Sequence, residues 1–214
     1  MLKVYTFGKP TTYVDNEPLV VFRTRKAEAI LYYLVVASKP VDRTELAELF
    51  WPEMTTSSAQ KNLRATLPDL RDMLGDYLSV NNQTISIATD LGHWVDLYEL
   101  RQLLAEPIPA TTAGFSQCMQ LFQGELLDGL AVSNAPEFDS WLTQQRESFQ
   151  NLIVDALEQW SEQFAAQGAI DHGLEATQRW LQLQPWNETA HRLRMKLFWH
   201  NKERGAALLQ YTQC

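Results

Sequence analysis

Between Arg23 and Gly75 the sequence spells three consecutive helices joined by very short connections, and a chain so written has few ways to bury its apolar residues. The spacing predicts the first over Lys26–Ser38, where Ala29, Ile30, Tyr33 and Leu34 recur at helical intervals and Thr24 or Arg25 opens the run. The second is predicted over Thr44–Trp51 and the third from about Ser57 to Leu74, with Gly75 at a C′ position. On the third, Leu63, Leu67, Leu70 and Leu74 fall within about 60° of one another. The opposite face, with Ser58, Lys61, Ala65, Asp69 and Asp72 flanked by Asn62 and Arg64, is therefore expected to look outward.

Strand signals surround these helices. Leu2–Phe7 and Tyr13–Asp15 are short β-type runs, and Pro18–Phe22 follows the turn residues Asp15 and Asn16. Beyond the third helix, Leu78–Val80 and Thr84–Ile87 flank Asn81, Asn82 and Gln83, which reads as a hairpin because asparagine tolerates positive φ. The expected fold is mainly α with small antiparallel β: a winged helix-turn-helix domain over residues 1–97, then an all-α, tetratricopeptide-like repeat domain over residues 98–214. A winged helix holds one helix rigidly so that its polar face can enter the major groove while the hairpin touches the adjacent backbone.

The repeat reading rests on spacing. Gly168 and Pro185 are 17 residues apart, the interval that separates the inter-helix turn of a 34-residue helical hairpin from its terminating proline, and Gly173 supplies a small residue where helices approach closely. A shift by 34 lays Ala207 on Gly173, Tyr211 on Thr177 and Cys214 on Trp180. Trp180 is large for its position and is expected to splay or repack the pair. The second repeat stops before its closing proline, so a fragment of a longer protein is expected, with Ala206, Leu209 and Tyr211 lacking a neighbour.

Several strings resemble a known family. Phe22-Arg23-Thr24-Arg25-Lys26-Ala27, Pro40-Val41-Asp42-Arg43, Phe50-Trp51-Pro52 and Asn62-Leu63-Arg64-Ala65-Thr66-Leu67, followed by Leu70-Arg71-Asp72-Met73-Leu74-Gly75, resemble the DNA-binding domain of the bacterial antibiotic-regulatory activators, which is related in fold to OmpR-type effector domains. The likeness continues through Asp96, Trp141 and Arg146, and through Leu183-Gln184-Pro185, Glu188, Ala190-His191-Arg192, Tyr211 and Cys214, which resemble the bacterial transcriptional activator domain. The resemblance implies a DNA-binding transcriptional activator that occupies promoter DNA, at directly repeated half-sites, and recruits RNA polymerase. It implies a polymerase contact through the loop of Pro52, Glu53, Met54, Thr55 and Thr56, and helical repeats that pair copies into a homodimer or relay a signal.

Charge qualifies this expectation. Residues 1–97 carry 10 Lys and Arg against 12 Asp and Glu (−2), and residues 98–214 carry 8 against 14 (−6), which together make −8. Affinity for DNA comes from the few cations near phosphates, so local placement outweighs the total. The expected DNA-binding residues are Ser58, Lys61, Asn62, Arg64, Ala65 and Arg71 on or beside the third helix, with Arg25 and Arg43 before the first two, where Arg23 and Lys26 extend the basic patch. Arg64 suits guanine or a phosphate and Asn62 suits adenine, while Lys61 and Arg71 suit phosphates; each is otherwise a solvated surface group. Trp51, Trp141 and Trp160 read as core. His191, three residues after Glu188, reads as repeat packing, and no metal or other cofactor is expected.

Enzymatic chemistry finds no motif: there is no phosphate-cradling Gly-x-x-x-x-Gly-Lys loop, no Gly-x-Ser-x-Gly elbow and no Cys/His cluster. No apolar run is long enough to cross a bilayer, no secretory signal is recognisable, and the two cysteines stand far apart, so the expected location is the cytoplasm. Pro68, Asp69 and Asp72 depart from the family pattern. Proline inside a helix removes a bond to the Arg64 carbonyl and favours a kink, and the carboxylates repel phosphate. Either the helix reads DNA with Ser57–Leu67 and bends away beyond, or this is a winged helix without DNA that serves as a protein–protein interaction module.

Overall fold

In a computed structural model, residues 1–19, 21–88, 90–105, 108 and 111–213 are described. They form two compact units. The first comprises Met1–Arg101 with Leu121–Arg146, and the second Gln102–Gln120 with Glu147–Cys214, Cys214 itself lying outside the described residues. This division by packing differs from the expected boundary at residue 97.

In the first unit, β1 (Leu2–Tyr5), β2 (Thr11–Val14), β3 (Glu17–Pro18) and β7 (His93–Val95) make a sheet of order β3-β2-β1-β7, with β1 parallel to β7 and the other pairs antiparallel. Asp15 and Asn16, both at positive φ, turn β2 into β3. The third strand is shorter than the expected Pro18–Phe22: it ends at Pro18, which has no N–H to continue a ladder, and Val20 lies outside the described residues. The strand β7 and its parallel pairing carried no signal in the sequence.

Helices α1 (Arg25–Ala37), α2 (Arg43–Phe50) and α3 (Thr56–Leu74) each begin at a side-chain cap. Thr24 Oγ1 accepts from the Ala27 amide, Asp42 Oδ1 from those of Thr44 and Glu45, and Thr55 Oγ1 from that of Ser58. The α1 helix is the centre of the core, buried from Ala29 through Val36. Behind α3, β5 (Leu78–Val80) and β6 (Thr84–Ile87) form the expected hairpin, and β4 (Val41–Asp42) adds a third strand.

The hairpin turns by a different device from the one expected. Neither Asn81 nor Asn82 has positive φ. Instead, Asn81 Oδ1 accepts from the amides of Gln83 (2.8 Å) and Thr84 (2.7 Å), and Asn81 Nδ2 donates to Thr84 Oγ1 (2.9 Å), so the side chain builds the turn. Asn81→Ala should therefore cost about 1 kcal/mol, read as a lower denaturation midpoint, because three bonds are lost at a solvated site.

After β7, α4 (Asp96–Leu103) opens on a buried carboxylate. Asp96 accepts from the amides of Thr6 (2.7 Å), Phe7 (3.0 Å) and Leu97 (2.7 Å) and from Thr6 Oγ1 (2.7 Å). Burial raises its carboxyl above the usual range against the opposing pull of these donors. The stretch 121–146 closes the unit. Phe7 and Leu126 form an antiparallel bridge, and the Leu127 amide donates to Thr6 O (2.7 Å). Arg146 donates to the carbonyls of Leu126 and Leu127, both at 2.8 Å. Phe138 packs on Phe50 with centroids 4.9 Å apart, and Trp141 on Tyr33 at 4.5 Å.

The second unit is helical: α5 (Thr112–Leu121), the later part of α6 (Pro136–Gln167), α7 (Ile170–Leu183), α8 (Glu188–His200) and α9 (Arg204–Thr212). Gly168, at φ 71°, turns α6 into α7. A Cβ on Gly173 would stand 3.0 Å from a Leu197 methyl and 3.6 Å from Phe164 Cβ, which is the close approach expected there. Trp180 is accommodated: it is buried, and its indole N–H donates to Gln184 Oε1 at 3.3 Å. His191 is buried between Pro185 O (2.7 Å from Nε2) and Gln210 Nε2 (2.6 Å from Nδ1), linking the end of α7 to α8 and α9. Leu209 and Tyr211 are exposed, and Ala206 is partly covered.

Candidate nucleic-acid interface

The α3 helix is one 19-residue element whose buried residues, Ala59, Leu63, Leu67, Leu70 and Leu74, keep one register from end to end. Pro68 sits on the exposed side, and the buried register is unbroken across it. Two side-chain bonds tie the start of α3 to α2: Gln60 Nε2 donates to Thr44 Oγ1 (2.9 Å) and Thr56 Oγ1 to Glu48 Oε1 (3.1 Å).

The outward face matches the expected one except at Asp69, which is half-buried because its carboxylate is held in an ion pair. Ser58, Lys61, Arg64, Ala65, Arg71 and Asp72 are exposed. Among the described residues, no hydrogen bond or ion pair engages Lys61, Arg64 or Arg71, so three cations are available to a ligand. Asn62 is half-buried, with Nδ2 donating to Met54 Sδ (3.0 Å) and its carbonyl accepting from Thr66 Oγ1 (3.0 Å). Reading a base with Asn62 would require the Met54 contact to be released.

Four further cations, Arg23, Arg25, Lys26 and Arg43, are engaged within the unit. Arg43 reaches the hairpin, donating to Asn81 O at 3.0 Å. Arg25 pairs with Glu28 at 2.8 Å on α1. Lys26 donates to Phe50 O and lies 5.0 Å from the Trp51 ring centroid, and burial holds its ammonium below the usual lysine value. Lys26 therefore belongs to the α1–α2 junction. Arg23 pairs with Asp69 on α3 at 2.9 Å, a contact with no sequence signal because its partners are 46 positions apart.

The loop before α3 is shorter than expected. Pro52, Glu53 and Met54 form it, Thr55 caps α3 and Thr56 is already helical, because a threonine hydroxyl can satisfy the first free amides of a helix. Among the described residues there is no group of three His, Cys, Asp or Glu able to hold a metal, and no helix is long and apolar enough to cross a membrane.

Residues 89–214, more than half of the chain, match the bacterial transcriptional activator domain. The chain belongs to that family. This activator-family chain is also similar in structure to Mycobacterium tuberculosis EmbR, solved in complex with a low-affinity phosphopeptide, with a TM-score of 0.71 at 19% identity. The likeness covers 99% of this chain and 58% of that one, so the activator-family chain spans less than two thirds of that protein's length. At such identity the likeness shows the fold, a winged helix followed by helical repeats. No curated protein matches the sequence. The family is one of transcriptional regulators of the activator type and not an enzyme class.

Proposed function

We propose that the first unit binds promoter DNA through the outward face of α3. The observation that carries this reading is the set of three unpaired cations, Lys61, Arg64 and Arg71, on a helix whose other face is locked into the core and which is followed by a hairpin. Ser58 and Ala65 lie on the same face and leave it low enough to approach base edges. In this reading the chain acts in the cytoplasm by recruitment: DNA, activator and RNA polymerase share binding energy, and no bond is made or broken. Pro52, Glu53 and Met54 form the polymerase-facing loop, and the repeats hold copies together or relay a signal.

The test is anisotropy titration of duplex DNA from the chain's own upstream region at two salt concentrations. Log K should fall with log salt with a slope of about −0.9 per phosphate contacted. Arg64→Ala should cost about 1–3 kcal/mol on the specific site and relax preference at one base pair, whereas Lys61→Ala should weaken all sequences alike. Absence of binding at low salt to every fragment of that region would replace this reading with an interaction module, which the unpaired Asp72 on the same face favours.

A further inference from the structure

We infer that Arg23, held by Asp69, is a phosphate contact on the edge of α3 away from Arg64 and Arg71, with Asp69 as its positioning residue. The inference rests on the reading of α3 as a DNA face. At about 100° per residue, Arg64 and Arg71 project within about 20° of one another, and Asp69 lies about 140° further round the same exposed surface. A major groove about 12 Å wide is walled by phosphates on both sides. Arg64 and Arg71 serve one wall, and Lys61 projects near the middle of the face. The other edge, where Ser58, Asn62 and Asp69 project, has no cation of its own on α3.

Arg23 fills that position from outside the helix. Its side chain is 78% exposed while that of Asp69 is 19% exposed, so the carboxylate faces inward and the guanidinium outward. One N–H is spent on Asp69 Oδ1, and the remaining donors of the guanidinium fork point to no other partner among the described residues. An exposed ion pair of this kind contributes little to stability. What it does is fix a long side chain, which sits in the loop before α1, against the helix that would enter the groove. The acidic residue at position 69 is thereby converted from a repulsive charge into an anchor for a cation.

The sign of one substitution decides between these roles. In anisotropy titrations of the full chain against a fluorescein-labelled duplex from its own upstream region, Arg23→Ala should weaken binding about three- to tenfold and make the salt slope shallower by about 0.9. Asp69→Ala should also weaken binding, although it removes a negative charge from the face. The double variant should bind no more weakly than Arg23→Ala alone, and Arg23→Lys should retain the slope, a rescue that lost folding would not permit. Tighter binding by Asp69→Ala would overturn the inference and leave Asp69 as a repulsive charge. An unchanged slope in Arg23→Ala, with Arg64→Ala still weakening binding, would overturn it while sparing the DNA reading. Failure of the unsubstituted chain to bind would overturn both.

Discussion

Replacing Asp96 by asparagine will destabilise the first unit by about 1–3 kcal/mol, the cost of leaving buried donors unsatisfied. The carboxylate receives two amides on Oδ2, from Thr6 and Phe7, and the Thr6 hydroxyl and Leu97 amide on Oδ1. Asparagine offers one oxygen and one amide group. With its NH2 in the place of Oδ2 it faces the amides of Thr6 and Phe7, just after β1; in the place of Oδ1 the Thr6 hydroxyl can turn to accept, but the Leu97 amide at the start of α4 goes unsatisfied. The measurement is urea unfolding of the full chain followed by circular dichroism. A loss below 1 kcal/mol would mean that water reaches the site and the network is not sealed.

Phe138→Ala is the second large effect, at about 3–5 kcal/mol for truncating a fully buried ring. Its ring lies 4.9 Å from Phe50 and 5.5 Å from Trp141, whose own ring lies 4.5 Å from Tyr33. These residues stitch α2 and α1 to the segment after Leu121, so the substitution should loosen that segment first. Limited proteolysis should cut within 121–135 in the variant at protease levels that spare the parent chain. DNA affinity measured on the folded fraction should be unaffected, since none of these rings lies on the exposed face of α3. Protection equal to the parent's would show that the backbone bridges at Phe7 and Leu127 suffice.

Periodicity made α1, α2, α3 and the β5–β6 hairpin legible in the sequence, because each is set by local spacing and local caps. The exposed face of α3 was legible for the same reason: four leucines at helical intervals define its opposite. The glycine at position 173 and the turn at Gly168 followed from repeat spacing. What stayed hidden depends on residues far apart in the chain. The parallel β1–β7 pair, the three donors that Thr6 and Phe7 give to Asp96, and the Arg23–Asp69 bridge join positions from 46 to about 90 residues apart, where no period exists to betray them. Arg146, noted only for resemblance, and Trp141, read also as core, are packing residues that bind the later segment to the first core. The hairpin was found by the right residue for the wrong reason, since Asn81 works through its side-chain oxygen and not through its backbone angle.

The placement of residues 121–146 in the first unit also sets a clock on biosynthesis. A ribosome adding about 5–20 residues per second needs roughly 2–9 s to pass from residue 101 to residue 146. Throughout that interval α1–α3 exist without the rings of Phe138 and Trp141 that cover Phe50 and Tyr33. Until they emerge, the rings of Phe50 and Tyr33 lack that cover, and synonymous codon changes between Arg101 and Arg146 would alter how long the nascent winged helix waits for its own lid of side chains.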